Sequence, residues 1–164
     1  MSNIKRSIFV LVVLTFFAAA GCVSTTDDSA NTTNTPVGES AQTAQNTQEE
    51  NTMKLTIGEY NFTVILEENE TAAKLKEKLP LKLTMSELNG NEKYNYLPFS
   101  LPADSFSPGN IEEGDVMLYG DSCLVVFYKS FQTSYSYTKI GHIENTADLQ
   151  KAVGTGSIEM KFER

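Results

Sequence analysis

The chain has no tryptophan, one histidine, and only two arginines and two cysteines in 164 residues. It also has no run of basic residues: 21 Asp and Glu outnumber 13 Lys and Arg, which gives a net charge of −8. Proteins that bind duplex nucleic acid draw their affinity from Lys and Arg side chains that neutralise phosphates. We therefore expect no nucleic-acid partner.

The supply of metal ligands and reactive groups is equally small. No Cys-x-x-Cys, His-Glu-x-x-His or nucleotide-binding glycine motif occurs, so we expect neither a metal site nor a cofactor. The acidic segment 112–115 lacks the ligand spacing of an EF-hand and is interpreted as a solvated turn. No serine nucleophile elbow is present, and no catalytic residue is assigned.

An apolar run near the amino terminus ends at a cysteine. Two basic residues precede the 13 residues 8–20, which is typical of a secretory leader. Residues 19–22, Ala-Ala-Gly-Cys, resemble the lipobox of prokaryotic lipoproteins. The resemblance implies a signal peptide over residues 1–21, lipidation of Cys22, and anchoring to the extracytoplasmic face of the cell membrane. An uncleaved anchor helix or an ordinary secretory peptide is the alternative, although a membrane span needs about 20 residues.

The composition changes sharply after residue 52. Residues 22–52 are rich in Ser, Thr, Asn and Gln and carry no basic side chain. Such a segment buries too little apolar surface to offset the entropy lost on ordering. We interpret it as a flexible tether that carries one domain, residues 53–164.

Alternating apolar and polar residues predict short strands throughout residues 53–164. The predicted strands are 53–57, 60–66, 81–85, 94–97, 116–119, 123–128, 134–143 and 157–162. Gly58-Glu59 and Gly120-Asp121 are expected to form two-residue hairpin turns. Residues 101–114, which contain proline, glycine and serine, are expected to form a long irregular loop.

Two short helices are predicted among these strands. Asn69 is expected to cap the first and Pro80 to stop it, and Asn145 is expected to cap the second, which ends at Gly154. The inward-facing residues are expected to be Ala72, Leu75 and Leu79 in the first helix, and Ala147, Leu149, Ala152 and Val153 in the second. Short antiparallel strands with few helices favour a closed barrel or a sandwich.

Five runs carry a further signal about the fold: Leu79-Pro80-Leu81, Asn91-Glu92-Lys93-Tyr94, Gly114 to Tyr119, Phe127-Tyr128, and Tyr137 to Ile143. Taken in this order, they resemble the cyclophilin-like domain family of prokaryotes. The resemblance implies a mainly β domain: a small closed cyclophilin-like β-barrel of about seven or eight strands, with two short helices over its open ends.

The same resemblance raises the question of prolyl isomerase activity. Cyclophilin isomerases use an arginine beside the twisting peptide bond and place Gln, Phe, Trp and His around the proline pocket. Here the arginines are Arg6 in the leader and Arg164 at the end of the chain, and tryptophan is absent. Lysine lacks the planar fork of donors that arginine has. We therefore expect isomerase activity of the usual kind to be absent.

Aromatic residues give the remaining functional signal. Ten of the 16 lie between Tyr94 and Tyr137. An ordinary core explains part of this cluster, and a shallow aromatic pocket is the functional alternative. The residues proposed to line such a pocket are Glu92, Tyr94, Phe127, Tyr137 and His142. Cys123, in an apolar run, is expected to be a buried and inert thiol.

The sequence favours a non-catalytic module that is anchored to the membrane surface through Cys22 and binds a small molecule or an extended peptide. A residual or divergent isomerase, or another enzyme on the same barrel, is the first alternative. A structural envelope protein is the second.

Overall fold

The computed structural model of the protein describes residues 51–164. The predicted signal peptide (1–21), the lipidation site Cys22, and residues 22–50 of the predicted tether lie outside the described residues. The first strand begins at Thr52, one residue before the predicted start of the domain.

Eight antiparallel strands form a closed barrel, which confirms the predicted fold class. Their order around the barrel is β1-β10-β3-β4-β7-β6-β9-β2. The barrel strands are β1 Thr52–Ile57, β2 Tyr60–Leu66, β3 Leu81–Leu88, β4 Glu92–Tyr96, β6 Asp115–Tyr119, β7 Cys123–Phe127, β9 Thr138–Ile143 and β10 Ile158–Glu163. Two further short strands, β5 Asn110–Ile111 and β8 Phe131–Gln132, pair with each other as a separate ribbon.

Two short helices pack against this barrel, as the sequence predicts. Helix α1 (Glu70–Glu77) is capped by Asn69, whose side chain accepts a hydrogen bond from the backbone N–H of Ala72. Helix α2 spans Leu149–Val153 and is followed by Gly154. Buried side chains from both helices join the core cluster inside the barrel. Among residues 51–164, no helix is long and apolar enough to cross a bilayer.

Several local predictions differ from the structure. Helix α1 ends before Leu79, which is buried but lies outside the helix. Asp148, and not the predicted Asn145, occupies the N-cap position of α2. Asn145 instead accepts a hydrogen bond from the backbone N–H of Ala147, one turn earlier. Ala147, which was expected to face inward, is exposed. The β6–β7 turn has three residues and not two, because Tyr119 pairs with Cys123.

Strands β6 and β7 are buried on both faces. Leu124 and Val126 point into the barrel core, whereas Cys123, Val125 and Phe127 belong to a second apolar cluster on the outer wall. This explains the continuous apolar sequence of β7, because a strand covered on both faces needs no polar side. The second cluster forms the base of the candidate site.

Candidate ligand-binding pocket on the outer wall

A pocket of about 310 Å³ lies on the outer wall of the barrel, over strands β4, β6 and β7. Outward-facing side chains at alternate positions of these strands form its base, as the two-residue periodicity of a strand requires. Residues from the ends of the strands and from the segment before β9 complete it. The lining residues are Leu88, Asn89, Asn91, Glu92, Tyr94, Tyr96, Tyr119, Cys123, Val125, Phe131, Tyr135 and Tyr137.

The exposed apolar surface of the domain gathers around this pocket. Among residues 51–164, the large apolar side chains that remain exposed are Leu88, Tyr96, Phe106, Tyr119 and Tyr135. All but Phe106 line the pocket, and Phe106 exchanges two backbone hydrogen bonds with Tyr137, at 2.9 and 3.0 Å. A contiguous exposed apolar patch is a feature of binding surfaces.

Ring contacts fix one wall of the pocket. The ring centroid of Tyr137 lies 5.6 Å from that of Tyr119 and 5.5 Å from that of Phe127. Tyr119 also contacts Tyr135 edge to face, at 6.1 Å, and Phe127 packs against Phe131 at 5.6 Å. Such offset and edge-to-face pairs stabilise their own geometry, so this wall is preformed.

Glu92 is the ionisable residue at the base of the pocket. It is only 8% exposed, and within residues 51–164 its carboxylate makes no hydrogen bond or ion pair. Burial raises the pKa of Glu92 from its ordinary value of 4.5 to about 7, and the charge of Glu87 adds to the shift. The carboxyl group therefore changes its charge near neutral pH.

Asn91, the residue before Glu92, has a buried side-chain oxygen, Oδ1, without a hydrogen-bond partner among the described residues. A buried polar atom without a partner costs about 1–3 kcal/mol. Asn91 thus carries a desolvated acceptor next to Glu92, although the atom itself has no surface accessible from the pocket.

A buried ion pair lies behind Glu92, on the inner face of the wall. Lys93 is fully buried, and its ammonium group donates to the carboxylate of Glu87 and, at 2.6 Å, to the carbonyl of Gly156. The hydroxyl of Tyr128 donates to Glu87 at 2.7 Å. Burial alone would raise the pKa of Glu87, but these hydrogen bonds hold it below its ordinary value. Lys93 is therefore occupied and does not neutralise Glu92.

Cys123 is 5% exposed, as predicted for a buried thiol. Burial and the nearby Glu92 charge raise the pKa of this thiol. The protonated form is the less reactive one, so the side chain is an apolar part of the base and not a nucleophile.

The structure brings three of the five predicted pocket residues together. Glu92, Tyr94 and Tyr137 line the pocket. Phe127 is fully buried and supports Tyr137 from beneath. His142 is exposed on β9, opposite Asp115 of β6, and does not line the pocket.

Other lining residues were missed by reasoning from the sequence. Tyr96 lies two positions after Tyr94 on the same strand face, and this spacing was the available signal. Cys123 and Val125 face the pocket because β7 lies beside β4, with Val125 opposite Tyr94. That pairing joins residues about 30 positions apart and cannot be read from local periodicity.

The shifted pKa of Glu92 predicts how stability depends on pH. A folded pKa near 7, above the ordinary 4.5, means that the folded state binds the proton more tightly. Stability is therefore lost as pH rises from about 4.5 to about 7. Glu92→Gln is expected to raise the free energy of unfolding at pH 8 by on the order of 2 kcal/mol and to change it little at pH 4. Denaturant unfolding at both pH values measures this.

Glu59→Gln is the matched control, because it removes the same charge from an exposed turn. It is expected to change stability little at either pH. Equal effects of the two substitutions at pH 8 would contradict the buried, unpartnered state of Glu92.

Other features of residues 51–164 do not form a comparable site. No group of three or more His, Cys, Asp or Glu side chains converges there. Arg164, the one arginine in this range, lines a different and wider depression beside α1 and donates to the carbonyl of Lys76 at 3.3 Å. No guanidinium group of the described residues therefore reaches the outer-wall pocket.

Comparison with known proteins places the barrel in a family. No curated protein and no solved structure matches the chain significantly. The model of the cyclophilin-like family matches residues 55–163, which is nearly the whole of the barrel described above. The chain therefore belongs to the cyclophilin-like family.

Proposed function

We propose that this protein is a lipid-anchored, extracytoplasmic binding module that holds a small molecule or an extended peptide in the outer-wall pocket without chemically changing it. The observation that carries the proposal is the convergence of exposed aromatic side chains on one pocket that has a carboxylate without a protein partner at its base. An apolar pocket with a few convergent polar groups is the usual composition of a ligand site.

The composition of the pocket argues against prolyl isomerisation. In cyclophilin isomerases an arginine donates to the peptide bond as it twists, and loss of such a preorganised donor typically costs about 3–4 kcal/mol of the barrier. None of the pocket residues is Arg, Lys, His or Trp. The same barrel thus supports binding better than it supports this reaction.

An isomerisation assay tests the non-catalytic part of the proposal. The full chain, purified in detergent, is mixed with a chromogenic proline peptide, and the cis–trans rate is measured. We expect the rate of the uncatalysed reaction. A clear acceleration that is reduced by Tyr137→Ala, but not by His142→Ala outside the pocket, would overturn the proposal.

A ligand screen tests the binding part. We expect some compounds to raise the melting temperature of the full chain. Val125→Phe, which fills the pocket, is expected to abolish this stabilisation. Thr63→Phe, at an exposed site on β2, is the control and should preserve it. Stabilisation that survives Val125→Phe, or none from any compound, would refute a binding role for this pocket.

The membrane anchor is tested separately. The Ala-Ala-Gly-Cys sequence before the polar segment supports lipidation of Cys22, and two acyl chains hold a protein stably on a membrane. We expect the protein to enter the detergent phase in a phase-separation assay and Cys22→Ser to move it to the aqueous phase. Detergent-phase partitioning of Cys22→Ser equal to that of the unaltered protein would exclude anchoring through this cysteine.

A second candidate function, an enzyme on the same barrel, is favoured by Glu92 alone. A carboxyl group with a pKa of about 7 in a pocket has the property of a general acid or base. Within residues 51–164 no nucleophile or second catalytic group lies hydrogen-bonded to it. Turnover of a compound found in the screen, lost in Glu92→Gln with binding retained, would establish this alternative.

A further inference from the structure

We propose that the ligand of the outer-wall pocket is a small organic cation, an ammonium group attached to an apolar or aromatic body. This inference rests on the proposed binding function and names the chemical class that the pocket selects. The carboxylate of Glu92 would accept the N–H donors of the ammonium group, and the tyrosine rings would pack against its apolar body.

Glu92 is an acceptor at the pocket base without a protein donor. It is 92% buried, lines the pocket and has no hydrogen bond or ion pair within the described residues. A primary or secondary ammonium group supplies both the donors and the countercharge that this carboxylate lacks.

The charge of the lining disfavours an anionic ligand. The lining contains one ionisable carboxylate and no Lys, Arg or His. The nearest cation in sequence, Lys93, points to the inner face and is bonded to Glu87 and Gly156. Above pH 7, where Glu92 is ionised, a carboxylate or phosphate ligand would therefore meet it without any countercharge, which is strongly unfavourable in a partly desolvated site.

The aromatic rings favour a cation with an apolar body. Tyr94, Tyr119 and Tyr135 are half-buried or exposed parts of the lining, and ring faces attract cations by about 0.5–2 kcal/mol each. The volume of about 310 Å³ is at the small end for ligand pockets. Together these features fit an arylalkylamine better than a large or purely polar cation.

The titratable groups that interact electrostatically with Glu92 come from three other elements. They are Glu87 on β3, Cys123 on β7 and Tyr128 just after it, and Tyr137 before β9. The only one of these that is anionic near neutral pH is Glu87, which is already paired with Lys93. Ionisation of Glu92 therefore governs the charge of the pocket in this pH range.

Calorimetric titration of the full chain in detergent tests the inference with three compounds of one shape. Phenethylamine is the cation, 3-phenylpropionate is the anion and 3-phenylpropan-1-ol is neutral. We expect phenethylamine to bind at least about tenfold more tightly than the other two at pH 8. Its affinity should fall about tenfold between pH 8 and pH 6, because Glu92 becomes protonated while the amine keeps its charge.

Glu92→Gln is expected to weaken phenethylamine binding at pH 8 about tenfold or more and to remove its pH dependence. Glu59→Gln, which removes an exposed carboxylate of the β1–β2 turn, should leave the affinity for phenethylamine and its pH dependence unchanged. Equal or tighter binding of the anion or the alcohol, or no binding of phenethylamine at pH 8, overturns the inference.

The two proposals fail in distinguishable ways. If anionic or neutral compounds bind and Val125→Phe blocks them, the cation inference is wrong and the binding function stands. If no compound of any charge binds in a manner that Val125→Phe blocks, both are wrong.

Discussion

Gly141→Ala is expected to prevent normal closure of the barrel between β2 and β9. A Cβ atom at this position would lie 2.3 Å from the carbonyl oxygen of Ile65 and 3.1 Å from the Cα of Leu66. These are backbone atoms of the paired strand, so no side-chain rotation relieves the clash. We expect a loss of about 4 kcal/mol or more, at the extreme end for a single substitution, measured by guanidinium unfolding followed by tyrosine fluorescence.

Gly109→Ala separates steric clash from backbone strain. Gly109 has a φ of +72°, and an added Cβ there meets no atom within 4 Å. Only the left-handed conformation is penalised, by about 1–2 kcal/mol. If Gly141→Ala proved no more destabilising than Gly109→Ala, the close approach of β9 to β2 would be refuted.

Lys93→Met is expected to cause the second-largest loss, about 3–5 kcal/mol, because it leaves Glu87 charged and partly buried without its partner. The carbonyl of Gly156 loses its donor as well. The pKa of Glu92 should rise further, since the charge of Glu87 would no longer be compensated. Denaturant unfolding and carboxyl-carbon NMR titration measure these two effects.

Two variants control this prediction. Lys82→Met removes an exposed lysine that pairs with Glu159 at 3.0 Å, and exposed pairs contribute about 0–1 kcal/mol. The double variant Lys93→Met with Glu87→Gln should recover part of the loss, because no isolated charge remains. Equal losses of unfolding free energy for Lys93→Met and Lys82→Met would show that the buried ion pair stabilises the fold no more than an exposed one.

Local periodicity was enough to predict most of the barrel. Alternation in residues 53–57 and 60–66, with Gly58-Glu59 between them, correctly gave the β1–β2 hairpin, in which Ile57 pairs with Tyr60. The β6–β7 turn was predicted one residue too short, because Ser122 has no property that separates a two-residue from a three-residue connection. Turn length depends on the register that the whole sheet imposes.

The error at His142 has a specific cause in β9. Met117 pairs with Lys139 and Val116 with Gly141, so Ile140 is an extra residue in the β6–β9 ladder. A bulge of this kind breaks the alternation between inner and outer faces. His142 could therefore not be placed by counting alternate residues.

The sequence also gave no indication that Lys93 would be buried. The carbonyl of Gly156, which accepts a hydrogen bond from Lys93, lies 63 positions later in the sequence. From the sequence alone, a lysine between Glu92 and Tyr94 is expected to be solvated. Contacts of this range are set by the closure of the barrel. The candidate site was thus predictable in its residue types, Glu92, Tyr94 and Tyr137, but not in its depth or its charge balance.

The two apolar clusters on opposite faces of β6 and β7 have a consequence for how the protein can diverge. A substitution of Val125 or Tyr119 on the outer face leaves Val126 and Leu118 on the inner face in place. The outer face can therefore vary in shape and charge on an unchanged frame. By the same reasoning, side chains chosen for a new ligand could be introduced on this wall without disturbing the core.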